Sequence, residues 1–217
     1  MRDLSEKPSN YYVFCRKEML EFVPEDSRRI LEVGCGEGLF SEELKKTLQA
    51  EVWGIEADSN AAEKAKSKTD KVLHGDVNVL IDDLPDDYFD CIVCNDVLEH
   101  LVDPYEVLTR LKGKLSGKGV IVASIPNVRH ISVLNELILK KQWRYADAGI
   151  LDRTHLRFFT RRSILEMFDG LGFDVIRIKG INKTSSFRKF HLWNILCLGH
   201  LSDARYSQYA CVARPRK

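Results

Sequence analysis

Long apolar runs are missing from this chain. No stretch reaches the length of a membrane span, and Met1-Arg2-Asp3-Leu4-Ser5-Glu6 lacks the apolar segment of a signal peptide. The expected setting is therefore cytoplasmic and reducing. A charge excess is missing too: 33 basic and 32 acidic residues leave a net charge of +1, which offers no general attraction to nucleic acid. Cysteine is sparse, and among the six only Cys91 and Cys94 stand close enough for a redox or zinc motif. Both lie in Phe89-Asp90-Cys91-Ile92-Val93-Cys94-Asn95, which reads as a buried strand, and no second close pair completes a four-ligand site. They are expected to be small core residues. Repeats and low-complexity tracts are also absent. What remains is an ordinary globular composition, 44% apolar and 30% charged, with enough length for a single domain over 1–217.

The chain is organised around Arg29-Ile30-Leu31-Glu32-Val33-Gly34-Cys35-Gly36-Glu37-Gly38-Leu39-Phe40. An apolar run, glycines at alternate positions and an immediate helical pattern read as strand, tight turn and helix N-terminus. Gly34 can take a backbone angle closed to other residues, and Gly36 lets a ligand approach the main chain. Further strands are expected at Glu51–Glu56, Val72–Gly75, Phe89–Cys94, Gly119–Ser124, Phe173–Ile178 and Tyr209–Ala213, with helices between most of them. An amphipathic helix over 10–23 precedes them and stops at Pro24. His130–Lys141 reads as a helix, Gln142–Phe159 as a loop and Ser163–Leu171 as a helix closed by Gly172. The alternation predicts an α/β fold with a mostly parallel sheet covered on both faces and ligand-binding loops at the strands' carboxyl ends. The connection 182–207 is too long for a hairpin link and reads as a helical insertion. Phe187, Phe190, Trp193 and Leu196 fall on one side of it, to be buried against this domain or a second copy. A lid and a peripheral membrane contact by 187–198 are the other readings.

The glycines at 34, 36 and 38 depart from a dinucleotide fingerprint, whose third glycine comes three residues after the second. Glu56, ending the second strand, suits ribose hydroxyls, and Asp76 with the Val77 amide suits an adenine edge. Glu32 would repel a pyrophosphate and favours a nucleoside with a cationic group. Together, Ile30 to Gly38, Glu56, Gly75-Asp76 and Phe89 to Leu101 resemble, in order, the motifs of the class I S-adenosylmethionine-dependent methyltransferases, over roughly residues 28–180. The resemblance implies a three-layer sandwich with a seven-stranded sheet, the last strand antiparallel. It implies S-adenosylmethionine as cofactor, its methionine part over Gly34, Cys35 and Gly36 with Glu32 near the amino group. Glu56 and Ala57 would then serve the ribose, Asp76 and Val77 the adenine, and Asn95 the ammonium through its main-chain carbonyl, with Leu98 alongside. The second half, Gly149-Ile150-Leu151-Asp152-Arg153-Thr154-His155-Leu156-Arg157-Phe158-Phe159-Thr160 after Ser124-Ile125-Pro126-Asn127, resembles methyltransferases of sugar and cell-surface polysaccharide pathways. Tyr12 and Arg16 resemble that group's lead helix, which closes over the cofactor.

Methyl transfer to a hydroxyl needs alignment and a nearby base. In an extended loop, Arg153, His155 and Arg157 would share one side, with His155 as base and the arginines holding an anionic acceptor. His130, after the fifth strand, is the second base candidate. Glu99-His100 invites a metal reading, but adjacent side chains diverge on a helix and no further ligand is evident in the sequence, so no metal is expected. The expected activity is methylation of a small-molecule hydroxyl, on a sugar or nucleotide-sugar. An NAD-dependent oxidoreductase and a non-catalytic partner protein with this fold are the alternatives.

Overall fold

The computed structural model describes residues 15–184 and 187–216. Its strands are β1 (Arg29–Val33), β2 (Glu51–Glu56), β3 (Lys71–His74), β4 (Phe89–Asn95), β5 (Leu115–Pro126), β6 (Phe173–Lys183) and β7 (Tyr206–Pro215). Its α-helices are α1 (Leu39–Leu48), α2 (Ser59–Ala65), α3 (Val77–Leu80), α4 (Pro104–Lys112), α5 (Ile131–Ile138), α6 (Arg161–Gly170) and α7 (Phe187–Leu196). The strands form one sheet in the order β3-β2-β1-β4-β5-β7-β6. The pairs among β3, β2, β1, β4 and β5 are parallel, and β7 runs antiparallel to both of its neighbours. This is the expected seven-stranded sheet with an antiparallel last strand.

Alternation along the central strands explains why both faces are covered. Ile30 joins a core with Phe40, Leu44, Val52 and Met19, while its neighbour Leu31 joins the opposite core with Ile92, Leu108, Ile121 and Phe168. Successive side chains of a strand point to opposite faces, so a strand buried on both sides is apolar throughout. Cys91 and Cys94 follow the same rule, since their spacing of three sends Cys91 to one core and Cys94 to the other. Both are fully buried, and burial pushes both thiols above their usual range. The two sulfurs share no site.

Several boundaries differ from the sequence reading. Of the helix expected over 10–23, residues 15 onward are described and form a 3-10 helix, Lys17–Phe22, whose Met19 and Phe22 are buried. β5 starts at Leu115, four residues early, because Gly119 lies within the strand; a Cβ there would stand 2.7 Å from the Phe89 carbonyl oxygen. The turn-like Ser116-Gly117-Lys118-Gly119 therefore marks a close backbone approach. β6 runs on to Lys183 because it lies at the sheet edge, where pairing with β7 and not burial holds it. α5 stops at Ile138, before Lys141, which has φ +54°. In the insertion, Phe190 is buried and Trp193 half-buried, but Leu196 is 68% exposed, so the expected buried side does not reach the end of α7. The side chain of Phe187 lies outside the described residues.

Candidate active site

The sheet order reverses between β1 and β4, which opens a crevice at their carboxyl ends. The glycine turn forms its floor. Gly34 and Cys35 both donate to the Ile55 carbonyl, at 2.8 and 3.1 Å, which ties the turn to β2. Gly34 has φ +70°, and a Cβ on it would stand 2.7 Å from Cγ2 of Val97. Glu56 braces the turn from the next strand. One carboxylate oxygen accepts from the Gly36 amide at 2.8 Å and the other from the Asp58 amide at 2.9 Å. Burial raises the Glu56 pKa, and those amides partly offset it. Glu32 is also buried; the Ser41 hydroxyl donates to it at 2.5 Å, and burial pushes its pKa up to about 8.

These groups line a cavity of about 910 Å³. Arg16, Glu32, Gly34, Cys35, Gly36, Glu56, Ala57, Asp76, Val77 and Asn95 all border it, so ten of the twelve expected cofactor residues meet in one place. Tyr12 lies outside the described residues. Leu98 does not border the cavity, because the 3-10 turn Leu98–His100 directs it into the core, where it is fully buried. Asp76 caps α3, its side chain accepting from the Asn78 amide at 2.9 Å. The side-chain amide of Asn95 is buried without a hydrogen-bond partner among the described residues, as expected of a group that awaits a ligand. Sequence reading missed the cluster that closes this side. Arg16 pairs with Asp96, whose other oxygen accepts from Ser124 and Gln208, and Gln208 in turn accepts from Arg16 and Asn182.

The loop after α5 contributes Ala148, Gly149, Ile150, Asp152 and His155 to the same cavity. The loop is not extended. Asp152, 1% exposed, accepts from the Thr154 amide and hydroxyl at 2.8 Å each, and its carbonyl accepts from the His155 amide at 3.0 Å. That turn separates side chains which alternation would have placed together. His155 points inward and is buried, whereas Arg153 pairs with Asp147 and Arg157 donates to the Val102 carbonyl. Neither arginine borders the cavity, which corrects their expected place beside the acceptor. His130 is displaced as well. It caps α5, its Nδ1 contacting the Ser132 hydroxyl at 2.7 Å, and it is absent from the cavity wall.

His155 Nδ1 stands 2.9 Å from the Ile150 carbonyl oxygen. A carbonyl only accepts, so Nδ1 carries the proton and Nε2 is the basic nitrogen of the neutral ring. Nε2 lies 3.9 Å from Oε1 of Glu99, a residue 1% exposed whose carboxylate oxygens have no hydrogen-bond partner among the described residues. Burial pushes the Glu99 pKa up to about 8. The His100 ring packs edge-on against His155, their centroids 4.7 Å apart. Ligand atoms of Glu99, His100 and His155 lie within 4.8 Å of one another. The expectation that Glu99-His100 lacks a further donor is thereby revised, because the fold brings His155 to it. One carboxylate and two imidazoles form a donor set able to hold a divalent ion.

A family model for the methyltransferase domain matches residues 9–178, and the chain belongs to that family. The fold agrees: a crystal structure of a SAM-dependent methyltransferase from Archaeoglobus fulgidus superposes with a TM-score of 0.68, covering 90% of each chain at 22% identity. Among curated proteins, the ubiquinone biosynthesis O-methyltransferase of Cereibacter sphaeroides is 28% identical over 171 residues, 73% of this chain and 65% of that protein. The mitochondrial ubiquinone biosynthesis O-methyltransferase of Schizosaccharomyces pombe is 33% identical over 103 residues, 45% of this chain and 37% of that one. The chain thus spans from about a third to two thirds of the length of these relatives. S-adenosylmethionine is the cofactor this family implies, and the residues present fit it. The orphaned Asn95 amide and the buried carboxyls of Glu32 and Glu56, all on the cavity wall, suit a ligand with an ammonium and a ribose.

Proposed function

We propose that this protein transfers a methyl group from S-adenosylmethionine to a hydroxyl on an uncharged, largely apolar small molecule. The observation that carries the reading is His155, fixed with Nε2 basic in the wall of the cavity that the glycine turn also borders. The cofactor supplies an electrophilic methyl on a sulfonium; Glu32, Glu56, Asp76 and Asn95 would hold it. His155 would take the acceptor's proton at Nε2 as oxygen attacks, and the imidazolium formed would in turn favour the ionised form of the nearby Glu99. If Glu99, His100 and His155 hold a divalent ion, it would polarise the acceptor oxygen instead.

Two features favour an apolar acceptor over a sugar nucleotide. Leu101, Val102, Pro126, Ala148 and Ile150 border the cavity that His155 also borders, and Arg16 is the one arginine or lysine on its wall among the described residues. Arg16 already pairs with Asp96, so no cation is left for a phosphate. The O-methyltransferase names of the curated relatives also support oxygen as the accepting atom. A screen of small phenols and sugar nucleotides with labelled cofactor tests this. Labelling of phenols is expected. Labelling of sugar nucleotides alone would overturn the apolar acceptor, and binding of NAD in place of S-adenosylhomocysteine would overturn the reaction class.

Two predictions concern the cofactor end. Glu56→Ala should weaken S-adenosylhomocysteine binding by about 1.5–3 kcal/mol, the range for a hydrogen bond to a charged group, and should loosen the Gly36 amide that the carboxylate now holds. Calorimetry on a variant with native circular dichroism measures it, and unchanged affinity would refute the placement. The second prediction is a proton release. Glu32, with its pKa near 8, is mostly protonated at pH 7, and a cationic ammonium beside it favours the carboxylate. Binding then expels a proton, so affinity rises with pH from 6 toward 8. For the free protein the sign is opposite: a raised carboxyl pKa contributes stability below the unfolded value, and it is lost as pH climbs through 8. Binding heats at pH 7 in two buffers of different ionisation enthalpy should differ by the equivalent of about one proton, and Glu32→Gln should abolish the difference. Equal heats for the parent protein would refute it.

A further inference from the structure

A second cleft, of about 480 Å³, shares no lining residue with the methyl-transfer cavity. The start of β7 contributes to both. Ser207 and Gln208 border the cavity, while Tyr206 and Tyr209 border the cleft, together with Arg129, Arg161, Arg162 and His200. The floor exists because residue 180 is glycine. The Tyr206 ring lies against it so closely that a Cβ would stand 2.2 Å from Cγ of the ring.

The local charge is one-sided in a chain whose net charge is only +1. Arg129 is held by Asp203 at 2.8 and 3.1 Å, which fixes it in place and consumes both carboxylate oxygens. Arg162 pairs with Glu166 on its own helix, but their side chains are 89% and 61% exposed, and such a pair is weak and easily exchanged. Arg161 is exposed and forms no ion pair with the described residues. Arg205 and Lys183 stand over the Tyr206 ring, at 5.4 and 6.0 Å from its centroid, and add further positive charge. Asp203 and Glu166 are the carboxylates that pair with the cleft's arginines, so cations outnumber them.

We propose that this cleft binds a phosphate ester, with the guanidinium of Arg161 as its principal contact and Arg162 exchanging Glu166 for the ligand. Planar guanidinium groups match the oxygens of phosphate in pairs, and Arg129, held by Asp203, beside two exposed arginines offers such donors from more than one residue. The phosphate could be a soluble ester or the headgroup of an anionic lipid, and the exposed Ile195, Leu196 and Leu198 leading from α7 toward His200 make the second source worth a separate arm.

The experiment uses the full chain in 0.15 M salt, where diffuse attraction is screened beyond about 8 Å. Glycerol 3-phosphate is titrated calorimetrically, and co-sedimentation is measured with vesicles of phosphatidylglycerol and of phosphatidylcholine. Binding to the free ester assigns a soluble ligand, and binding only to phosphatidylglycerol vesicles assigns a headgroup; either supports the site. Arg161→Ala combined with Arg162→Ala, both at exposed positions, should then weaken binding about tenfold or more, while S-adenosylhomocysteine affinity stays unchanged. No binding in either arm, or binding that the double variant leaves within about twofold, would overturn the proposal.

Discussion

Replacing His155 by alanine is expected to lower methyl transfer by roughly 10²–10⁴-fold while S-adenosylhomocysteine affinity stays nearly constant. The ring is not among the groups assigned to the cofactor, so its loss should register in turnover and not in cofactor binding. Two chemistries share that geometry and divide on a second measurement. If Nε2 is a base, activity should persist in a chelator. If Glu99, His100 and His155 hold a divalent ion, a chelator should abolish activity and added metal should restore it, and His155→Ala should also lower metal affinity. A His155→Ala enzyme with undiminished turnover would remove the residue from both schemes. Arg157→Ala, with the guanidinium on the Val102 carbonyl and outside the cavity wall, should leave the acceptor KM close to that of the parent.

The two ends of the site were not equally legible in the sequence. The cofactor end rests on local rules. A strand that runs into glycines, an acid that ends the next strand, and an aspartate that begins a short helix each define their own geometry within a few residues. Gly34, Glu56 and Asp76 accordingly border one cavity once parallel pairing brings their strands into register. The acceptor end rests on contacts between distant residues. Glu99 and His155 stand 56 positions apart, and what unites them is the docking of the 149–157 turn on the 3-10 turn Leu98–His100, where the Leu156 and Arg157 amides donate to the Glu99 carbonyl. Alternation placed Arg153, His155 and Arg157 together on the premise of extended backbone. Asp152 overrides that premise by capturing the Thr154 amide, which is ordinary chemistry for an aspartate at a turn and the one local signal that could have corrected it. The Arg16–Asp96–Gln208 network joins three separate stretches and left no mark on any one of them.

Gly34 carries the other large expected effect. At φ +70° an L-residue pays roughly 1–2 kcal/mol, and more if β-branched, while a Cβ 2.7 Å from Val97 adds the strain of an overpacked contact, about 1–3 kcal/mol. Gly34→Val should therefore lower unfolding free energy by about 2–5 kcal/mol and eliminate measurable S-adenosylhomocysteine binding, because relief of either strain moves the turn that Ile55 and Glu56 now hold. Gly149→Val is the matched control. That glycine also borders the cavity and has φ +89°, yet a Cβ on it would meet nothing within 4 Å. It should lose only the backbone contribution, about 1–2 kcal/mol of stability or slightly more for a β-branched residue, and keep its affinity for S-adenosylhomocysteine within a few-fold. Denaturant unfolding and calorimetry on the pair separate the two contributions. Equal stability losses would mean that backbone strain alone accounts for Gly34, and retained binding in Gly34→Val would mean that the geometry of the turn does not define the ligand site.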